Sequence, residues 1–304
     1  MSNEIIHISS NIDEELVTKI KKLKIDINFR ISEVDNLVIK CVDMKDTDDT
    51  NTELNLITKY ITKDFFHPNF LDYYSIIKID NNLKKLEIKC NDSFDKLNNY
   101  KNNISPMLQK KSIPSKIIDD RVFAYIMPKY EKLVDYLDNN DITPKIIVSN
   151  ILGILDLSIL IRDKYKLIHC DVKPCNIIVN NNIFYLIDWE DAFKDTEYYY
   201  SFSKPNDGNT EMYPYFNATA EQFFIYSIGI LIIRIIGFHH DVTCYDFIQN
   251  KDINYILNKI PSQEIKLYEN VIYNTYNNKY AKIEELRSKI KEILDKIEED
   301  GQLK

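Results

Sequence analysis

Glycine is scarce in this chain of 304 residues, which contains five glycines and none before Gly153. Glycine adopts positive φ angles without strain and lets backbone N–H groups approach a phosphate closely. The first half of the chain therefore contains no glycine-rich phosphate-binding loop as a sequence motif.

Paired cysteines are also missing. The five cysteines are odd in number and form no CxxC motif, which indicates reduced thiols and a cytoplasmic or nuclear location. Cys170 and Cys175 flank Asp171; we expect both to be packing residues, the alternative being that their oxidation blocks a site. Residues 1–10 lack a basic start followed by a long apolar stretch, so no signal peptide is expected.

Positive charge is the third shortage, since the formal net charge is −8. A nucleic-acid-binding surface needs a positive face to neutralise phosphates, so this class of partner is not indicated. The most apolar segment, 223–238, is shorter than the roughly 20 residues of a membrane span and contains Arg234. We expect a buried helix there and no membrane span.

The composition, 44% hydrophobic and 28% charged, is that of a globular protein. An excess of Asn, Ile, Lys and Tyr suggests an AT-rich genome, such as that of a parasite, a slime mould or a large DNA virus.

One segment carries a pattern typical of an active site. Residues 169–176 read His-Cys-Asp-Val-Lys-Pro-Cys-Asn and follow a long apolar stretch, 146–160, that predicts a helix. A strand at 177–179, a turn at 180–182 and a returning strand at 184–187 then bring Asp188 beside this loop. We expect the oxygen-bearing side chains of Asp171, Asn176 and Asp188 to converge.

These residue types suit phosphoryl transfer. The reaction needs a carboxylate that orients the attacking hydroxyl, and hard oxygen ligands for the metal ions that bridge the phosphates. Asp171 fits the first role, while Asn176 and Asp188 fit the second, with Mg²⁺ or Mn²⁺ as the metal. Lys173 could steady the transferring phosphoryl group by its charge.

The segment resembles the catalytic loop and metal-binding motif of the eukaryotic protein kinase superfamily. The strand at 37–40 resembles the kinase strand whose lysine, here Lys40, binds the nucleotide phosphates, and Glu53 resembles the helix glutamate that pairs with that lysine. A turn-like His-Pro-Asn-Phe sequence follows at 67–70. Residues 125–130 resemble the strand and hinge that contact ATP, which implies nucleotide contacts from Met127 and Lys129.

The resemblance implies an α+β, two-lobed protein-kinase-like fold. A small β-rich N-lobe would cover residues 1–128, with an insertion at about 79–120. A larger helical C-lobe would cover residues 129–304, with the catalytic loop at 169–176 and an amphipathic terminal helix at 280–299. That helix is expected to pack on the large lobe, and the alternative is a dimer seam, which leaves the oligomeric state open.

The chain departs from the kinase pattern at several places. Asp188-Trp189-Glu190 stands for the usual Asp-Phe-Gly, which keeps the metal-binding carboxylate but loses the glycine. Cys170 stands where many kinases have the arginine that meets a phosphorylated activation loop, which argues against that switch. Phe224 stands where an aspartate usually braces the catalytic loop, so the loop needs another support.

The activation segment is expected at 188–217. It has no Ala-Pro-Glu end, although its stretch from Gly208 to Pro214 resembles the part of a kinase that receives a peptide substrate.

Three functions are compatible with this pattern. The leading hypothesis is an ATP- and Mg²⁺-dependent kinase of protein Ser/Thr hydroxyls, because Lys173-Pro174 is typical of that class. The missing glycine loop and Glu190 also allow a catalytically silent, kinase-like regulatory or scaffold protein. The Asp-Trp-Glu sequence allows a small-molecule kinase as well.

Overall fold

The structure is a computed structural model, and it describes residues 4–7, 14–23, 31–43, 67–71, 75–80, 121–189, 192–194, 198–199, 218–243, 246 and 252–302. Within these ranges the fold is a mixed α+β arrangement of small antiparallel sheets and a larger number of helical residues. The α+β class predicted from the sequence is confirmed at this level. The boundary at residue 128 stays a prediction.

The N-terminal part is a five-stranded antiparallel sheet. Its strands are β1 (Glu4–His7), β2 (Ile31–Val34), β3 (Leu37–Asp43), β4 (Ser75–Asp80) and β5 (Arg121–Pro128), in the spatial order β1-β4-β5-β3-β2. Lys40 lies opposite Tyr125 of β5, so the lysine predicted to bind phosphate is on an inner strand. Helix α1 (Glu14–Lys22) precedes β2.

Helices dominate the rest of the described chain. They are α2 (Leu133–Asn139), α3 (Pro144–Tyr165), α4 (Ala220–Ile236), α5 (Ile253–Leu257), α6 (Ser262–Ile265), α7 (Glu269–Tyr276) and α8 (Ile283–Gln302). Thr143 caps α3, and Thr219 and Gln222 form a capping box at the start of α4. Fourteen of the seventeen residues of α4 are buried, so this helix is the centre of the apolar core.

The sequence predicts an amphipathic terminal helix, and the structure has one, α8, while the large lobe on which it was expected to pack stays a prediction. The bounds of α8 are Ile283–Gln302 instead of 280–299, and it lies along α3. The apolar positions at helical spacing, Ile283, Leu286 and Ile290, are fully buried, whereas the opposite face carries ion pairs such as Lys291 with Asp295. This pattern is that of an amphipathic helix on a core.

Short strands around residue 180 form the frame of the candidate site. Strand β6 (Glu131–Lys132) pairs with β8 (Ile177–Asn180), which pairs with β9 (Ile183–Leu186), while β7 (Leu167–His169) pairs with β10 (Ala192–Lys194). Asn181 and Asn182, at φ angles of 51° and 62°, form the turn between β8 and β9. Two left-handed residues give the tight hairpin that the asparagine run predicts. A last pair joins β11 (Tyr198–Tyr199) to β12 (Ala218–Thr219).

Several predictions fall on residues outside the described ranges. These are Glu53, Glu190, the stretch from Gly208 to Pro214, and residues 81–120 of the expected insertion. The first two residues of that insertion belong to β4.

Helix α3 is, among the described residues, long and apolar enough to cross a membrane, and half of that apolar stretch is buried inside the protein. A core helix of a soluble protein meets the same criterion. The segment 223–238 that the sequence singled out lies in α4 and the turn after it, where α4 is a core helix, as predicted.

Candidate active site

The loop that carries Asp171 is held by its own histidine. The Nδ1 atom of His169 accepts the Asp171 backbone N–H at 3.1 Å, and its Nε2 atom lies 3.0 Å from the carbonyl oxygen of Ile187. A single neutral tautomer satisfies both contacts, with the proton on Nε2. The ring therefore ties the Asp171 loop to the residue before Asp188, and supplies a support that Phe224, fully buried in the core, does not provide.

Two donors converge on one oxygen of Asp171. The Nδ2 atom of Asn176 donates to Oδ2 at 2.7 Å and to the Asp171 carbonyl oxygen at 2.9 Å, while the Lys173 ammonium lies 2.8 Å from the same Oδ2. A short 3-10 helix, Pro174–Asn176, brings Asn176 into this position. The loop thus places the side chains of Asp171, Asn176 and Lys173 together. The predicted convergence of Asp188 with Asp171 and Asn176 stays a prediction.

Asp188 receives a lysine from the N-terminal sheet. The Nζ atom of Lys40 lies 2.6 Å from its Oδ1 atom, and the Lys40 side chain is 8% exposed whereas that of Asp188 is 32% exposed. A lysine so deeply buried needs an opposite charge beside it. Glu53, the partner predicted for Lys40, lies outside the described residues, and Asp188 is a partner that the sequence did not predict.

The backbone of Asp188 is in the left-handed region, with φ at 66°. A residue other than glycine is uncommon there, and such strained positions cluster at functional sites. The next residue, Trp189, is buried, donates its indole N–H to the Leu186 carbonyl at 3.2 Å, and meets the His169 ring edge-on at 4.6 Å. Packing of the large indole therefore holds the turn that presents Asp188.

The two residues predicted to contact the base of ATP lie at the end of β5 and just after it. Met127 is buried and lies opposite Val38. The Lys129 backbone N–H donates to the Asn36 carbonyl at 2.8 Å, and its side chain pairs with Glu33 at 2.5 Å. The N–H of Lys129 is therefore engaged by the β2–β3 turn, which leaves its carbonyl and side chain as its possible contacts to a base.

Sequence reasoning missed Ile31. It lies directly opposite Lys40 in the β2–β3 pair, and residues directly opposite each other project to the same face of a sheet. Its side chain is 58% exposed, which is unusual for isoleucine in this protein. The face that carries Lys40 therefore also carries an exposed apolar side chain. The signal could be found only from the strand register.

The oxygen donors fit a hard divalent cation. Asn176 turns its Nδ2 atom toward Asp171, so its Oδ1 atom is the ligand it can offer, and Asp188 offers a carboxylate. Magnesium takes such ligands together with water and substrate phosphates, and does not need a cage of protein groups. The part of the chain that the structure describes contains no group of three or more His, Cys, Asp or Glu side chains placed to hold a metal.

The cysteines beside Asp171 differ from each other. Cys170 is buried and donates its S–H to the Ile168 carbonyl at 3.6 Å, as expected of a packing residue. Cys175 is exposed, so the expectation of packing is wrong for it. Its place in the 3-10 helix turns the side chain outward.

No protein-family model matches the chain, and no curated protein matches it at a significant level. The functional assignment therefore depends on the residues and contacts of this protein itself.

Proposed function

We propose that the chain is an ATP- and Mg²⁺-dependent phosphotransferase with a two-lobed protein-kinase-like fold, acting on the Ser/Thr hydroxyls of a protein substrate. One observation carries the proposal. A buried lysine from the N-terminal sheet reaches Asp188, and Asp188 is tied through His169 to the loop that contains Asp171 and Asn176.

In this function the sheet supplies the nucleotide contacts. Lys40 would bind the α- and β-phosphates, because it is buried, cationic and already beside the metal-binding carboxylate. Met127 and Lys129 would contact the base, and Ile31 would cover it from β2. Glu53 is proposed to hold Lys40 in the nucleotide-bound state.

Asn176 and Asp188 would hold the metal. When bound, Mg²⁺ neutralises charge that develops on the phosphates during transfer. The ion pair with Lys40 holds the Asp188 carboxylate in place before any ligand arrives, which lowers the ordering that binding requires.

Asp171 would orient the substrate hydroxyl and receive its proton. Lys173 lies 2.8 Å from the Asp171 carboxylate, where its charge can also reach the transferring phosphoryl group. The bonds from Asn176 and His169 keep this loop in place. Protein Ser/Thr hydroxyls are the proposed substrates because of the Lys173-Pro174 pair.

A second candidate function is nucleotide-dependent binding without transfer. Lys40 and Asp188 neutralise each other directly, and no glycine-rich loop is present to exclude water from the phosphates. A protein of this kind would bind Mg²⁺–ATP and regulate a partner.

Transfer of labelled phosphate from ATP tests the proposal, with Mg²⁺ or Mn²⁺ and a mixture of basic and acidic proteins as acceptors. We expect transfer by the wild type, none by Asp188→Ala or Asp171→Asn, and full transfer by Asp295→Ala, which removes an exposed carboxylate of α8. Including alcohols and aminoglycosides as acceptors separates a small-molecule kinase. Binding of Mg²⁺–ATP with no transfer to any acceptor would favour the second candidate.

A further inference from the structure

Strand β9 ends two residues before Asp188. The backbone groups on one of its edges form hydrogen bonds with asparagine residues instead of with another strand. Along its first edge it pairs with β8. Phe184 and Leu186 direct their backbone groups to the second edge, where helix α3 and residues 67–71 lie. Buried backbone groups need partners, so whatever satisfies them also fixes the strand.

Asn150 of α3 accepts a hydrogen bond from the first of these backbone groups, the Phe184 N–H. Its Oδ1 atom accepts the Phe184 N–H at 2.8 Å, and its Nδ2 atom donates to the Asn182 carbonyl at 2.7 Å and to the Ile146 carbonyl at 2.9 Å. The amide therefore connects the helix to both the turn and the strand of the hairpin.

Asn69 forms hydrogen bonds with two further backbone groups of β9, the Phe184 carbonyl and the Leu186 N–H. Its Nδ2 atom donates to the Phe184 carbonyl at 2.9 Å, and its own backbone carbonyl accepts the Leu186 N–H at 3.2 Å. The residue is buried, with 5% of its surface exposed. Asn69 therefore forms the hydrogen bonds that a neighbouring strand would form, through its side-chain amide and its backbone carbonyl.

Helix α3 has a glycine where Asn69 approaches it. A Cβ atom built on Gly153 would lie 2.0 Å from the Asn69 Oδ1 atom, and no contact that short is tolerated. Glycine is a poor helix former, so its presence in the middle of a buried helix needs a packing reason. Room for the Asn69 side chain is that reason.

The segment that carries Asn69 also belongs to the N-terminal part of the chain. It leads into β4 of the sheet that holds Lys40, and its Phe70 ring lies 6.2 Å from the ring of Trp189, the neighbour of Asp188. His67 accepts the Asn69 backbone N–H at 3.2 Å and so fixes the turn. The segment bridges the Lys40 side and the Asp188 side of the site.

We propose that Asn69 is a positioning residue that sets Asp188 relative to Lys40, by completing the edge of β9 in a space provided by Gly153. Asn150 supports it from α3. The inference rests on the proposed function for its effect on Mg²⁺–ATP, whereas its effect on β9 is independent of any activity.

Two measurements test it on the full chain. Hydrogen exchange reports the protection of the Phe184 and Leu186 amides, and titration with Mg²⁺ at fixed ATP gives the concentration for half-maximal phosphate transfer. Asn69→Ala removes the Nδ2 donor to the Phe184 carbonyl and keeps the acceptors of the two amides, so its effect on them acts through looser packing of residues 67–71 against β9. We expect faster exchange at both amides, and a need for about 10- to 100-fold more Mg²⁺, which is the usual effect of removing a residue that orients a metal ligand.

The matched control is Thr275→Ala. Gly229 in α4 makes the same kind of contact, since a Cβ atom there would lie 2.0 Å from the Thr275 Oγ1 atom, in the helical core and without a bond to β9. Thr275→Ala is expected to destabilise the fold without changing the Mg²⁺ requirement. If Asn69→Ala only lowers stability, as Thr275→Ala does, and keeps both amides protected, the proposal is wrong.

Gly153→Ala provides a second route to the same answer if Asn69→Ala folds poorly. It should displace the Asn69 side chain and reproduce the loss of protection, and the double variant Gly153→Ala with Asn69→Ala should be no worse than Asn69→Ala alone. Additive effects of the two substitutions would contradict the inference that Gly153 provides the space for the Asn69 side chain. Absence of any Mg²⁺–ATP binding by the wild type would overturn the proposed function, while the exchange result would still decide the role of Asn69.

Discussion

Two clusters of charge in this protein join segments that are distant in sequence, and they differ in the elements that they join: Arg162 joins helices, whereas Lys40 joins strand β3 to the residues after β9. Arg162 at the end of α3 contacts Glu221 at the start of α4, Glu284 at the start of α8, and its neighbour Asp163. Lys40 contacts the Asp188 carboxylate, whose side chain is one-third exposed.

The contacts of the Arg162 cluster give it a structural role. Glu221 also accepts the Ile283 N–H at 2.9 Å, so the Arg162 cluster secures the starts of two helices against the end of a third. Hydrogen bonding to Glu284 is the largest cause of a raised pKa for the Arg162 guanidinium. The Lys40–Asp188 pair is open to water on the Asp188 side. In the proposed function, Lys40 would exchange Asp188 for phosphate and Asp188 would exchange Lys40 for metal.

The largest expected effect comes from breaking the Lys40–Asp188 pair. Lys40→Met should lower phosphate transfer by about 100- to 1,000-fold, as expected when a charge that stabilises the transition state is removed. The melting temperature should change little, because water can hydrate the exposed part of Asp188. Thermal unfolding and labelled-phosphate transfer measure the two effects. A large loss of stability with full transfer per folded molecule would show that the Lys40–Asp188 pair serves stability and not transfer.

The opposite response is expected from the Arg162 cluster. Arg162→Met leaves Glu221 and Glu284 without their cation and should cost about 2–3 kcal/mol of unfolding free energy, somewhat less than a fully buried pair because Glu284 is half exposed. Urea unfolding measures this value. Transfer per folded molecule should match that of the wild type, and a selective loss of transfer would show that this cluster also serves the site.

Acid should destabilise the Arg162 cluster through Glu284. The hydrogen bond from Arg162 is the largest cause of a Glu284 pKa below its ordinary value of 4.5. A depressed folded-state pKa contributes stability that is present above 4.5 and is lost as the pH falls through the folded value. Unfolding measured from neutral pH downward should show a smaller acid loss for Glu284→Gln than for the wild type, and equal losses would contradict the coupling.

A smaller effect of acid is expected at His67, which belongs to the same segment as Asn69. Burial is the largest cause of a His67 pKa below its ordinary value of 6.5, and Asp156 opposes it. The unfolded chain then binds a proton before the folded one, so stability should start to fall as the pH drops below 6.5. His67→Asn keeps an acceptor for the Asn69 N–H and should remove this part of the curve, while the part due to Glu284 remains.

Much of the local structure around the candidate site could be predicted from the sequence. The asparagine turn and the strands on either side of it lie within one residue of their expected positions, and α3 contains the predicted run 146–160 but continues to Tyr165. Short-range signals were sufficient there, because hairpin turns and buried helices depend on neighbouring residues. Asp171, Lys173 and Asn176 are close together for the same reason.

Contacts between distant segments could not be predicted in this way. The pairing of Lys40 with Asp188 spans 148 positions, and the bond from Asn69 to Phe184 spans 115. Asn69 and Asn150 look like ordinary polar residues in the sequence, and Gly153 looks like a helix defect. Each has a role only when β9, α3 and residues 67–71 are brought together.

The sequence by itself determined the elements and the chemical groups available: an α+β chain, a loop with a carboxylate, an amide and a lysine, and a second carboxylate after a hairpin. Only the tertiary structure decided which of these groups meet, which lysine neutralises Asp188, and what completes the edge of β9. The reason is physical, since local propensity acts over a few residues, whereas burial forces every charge and backbone group to find a partner that can be anywhere in the chain.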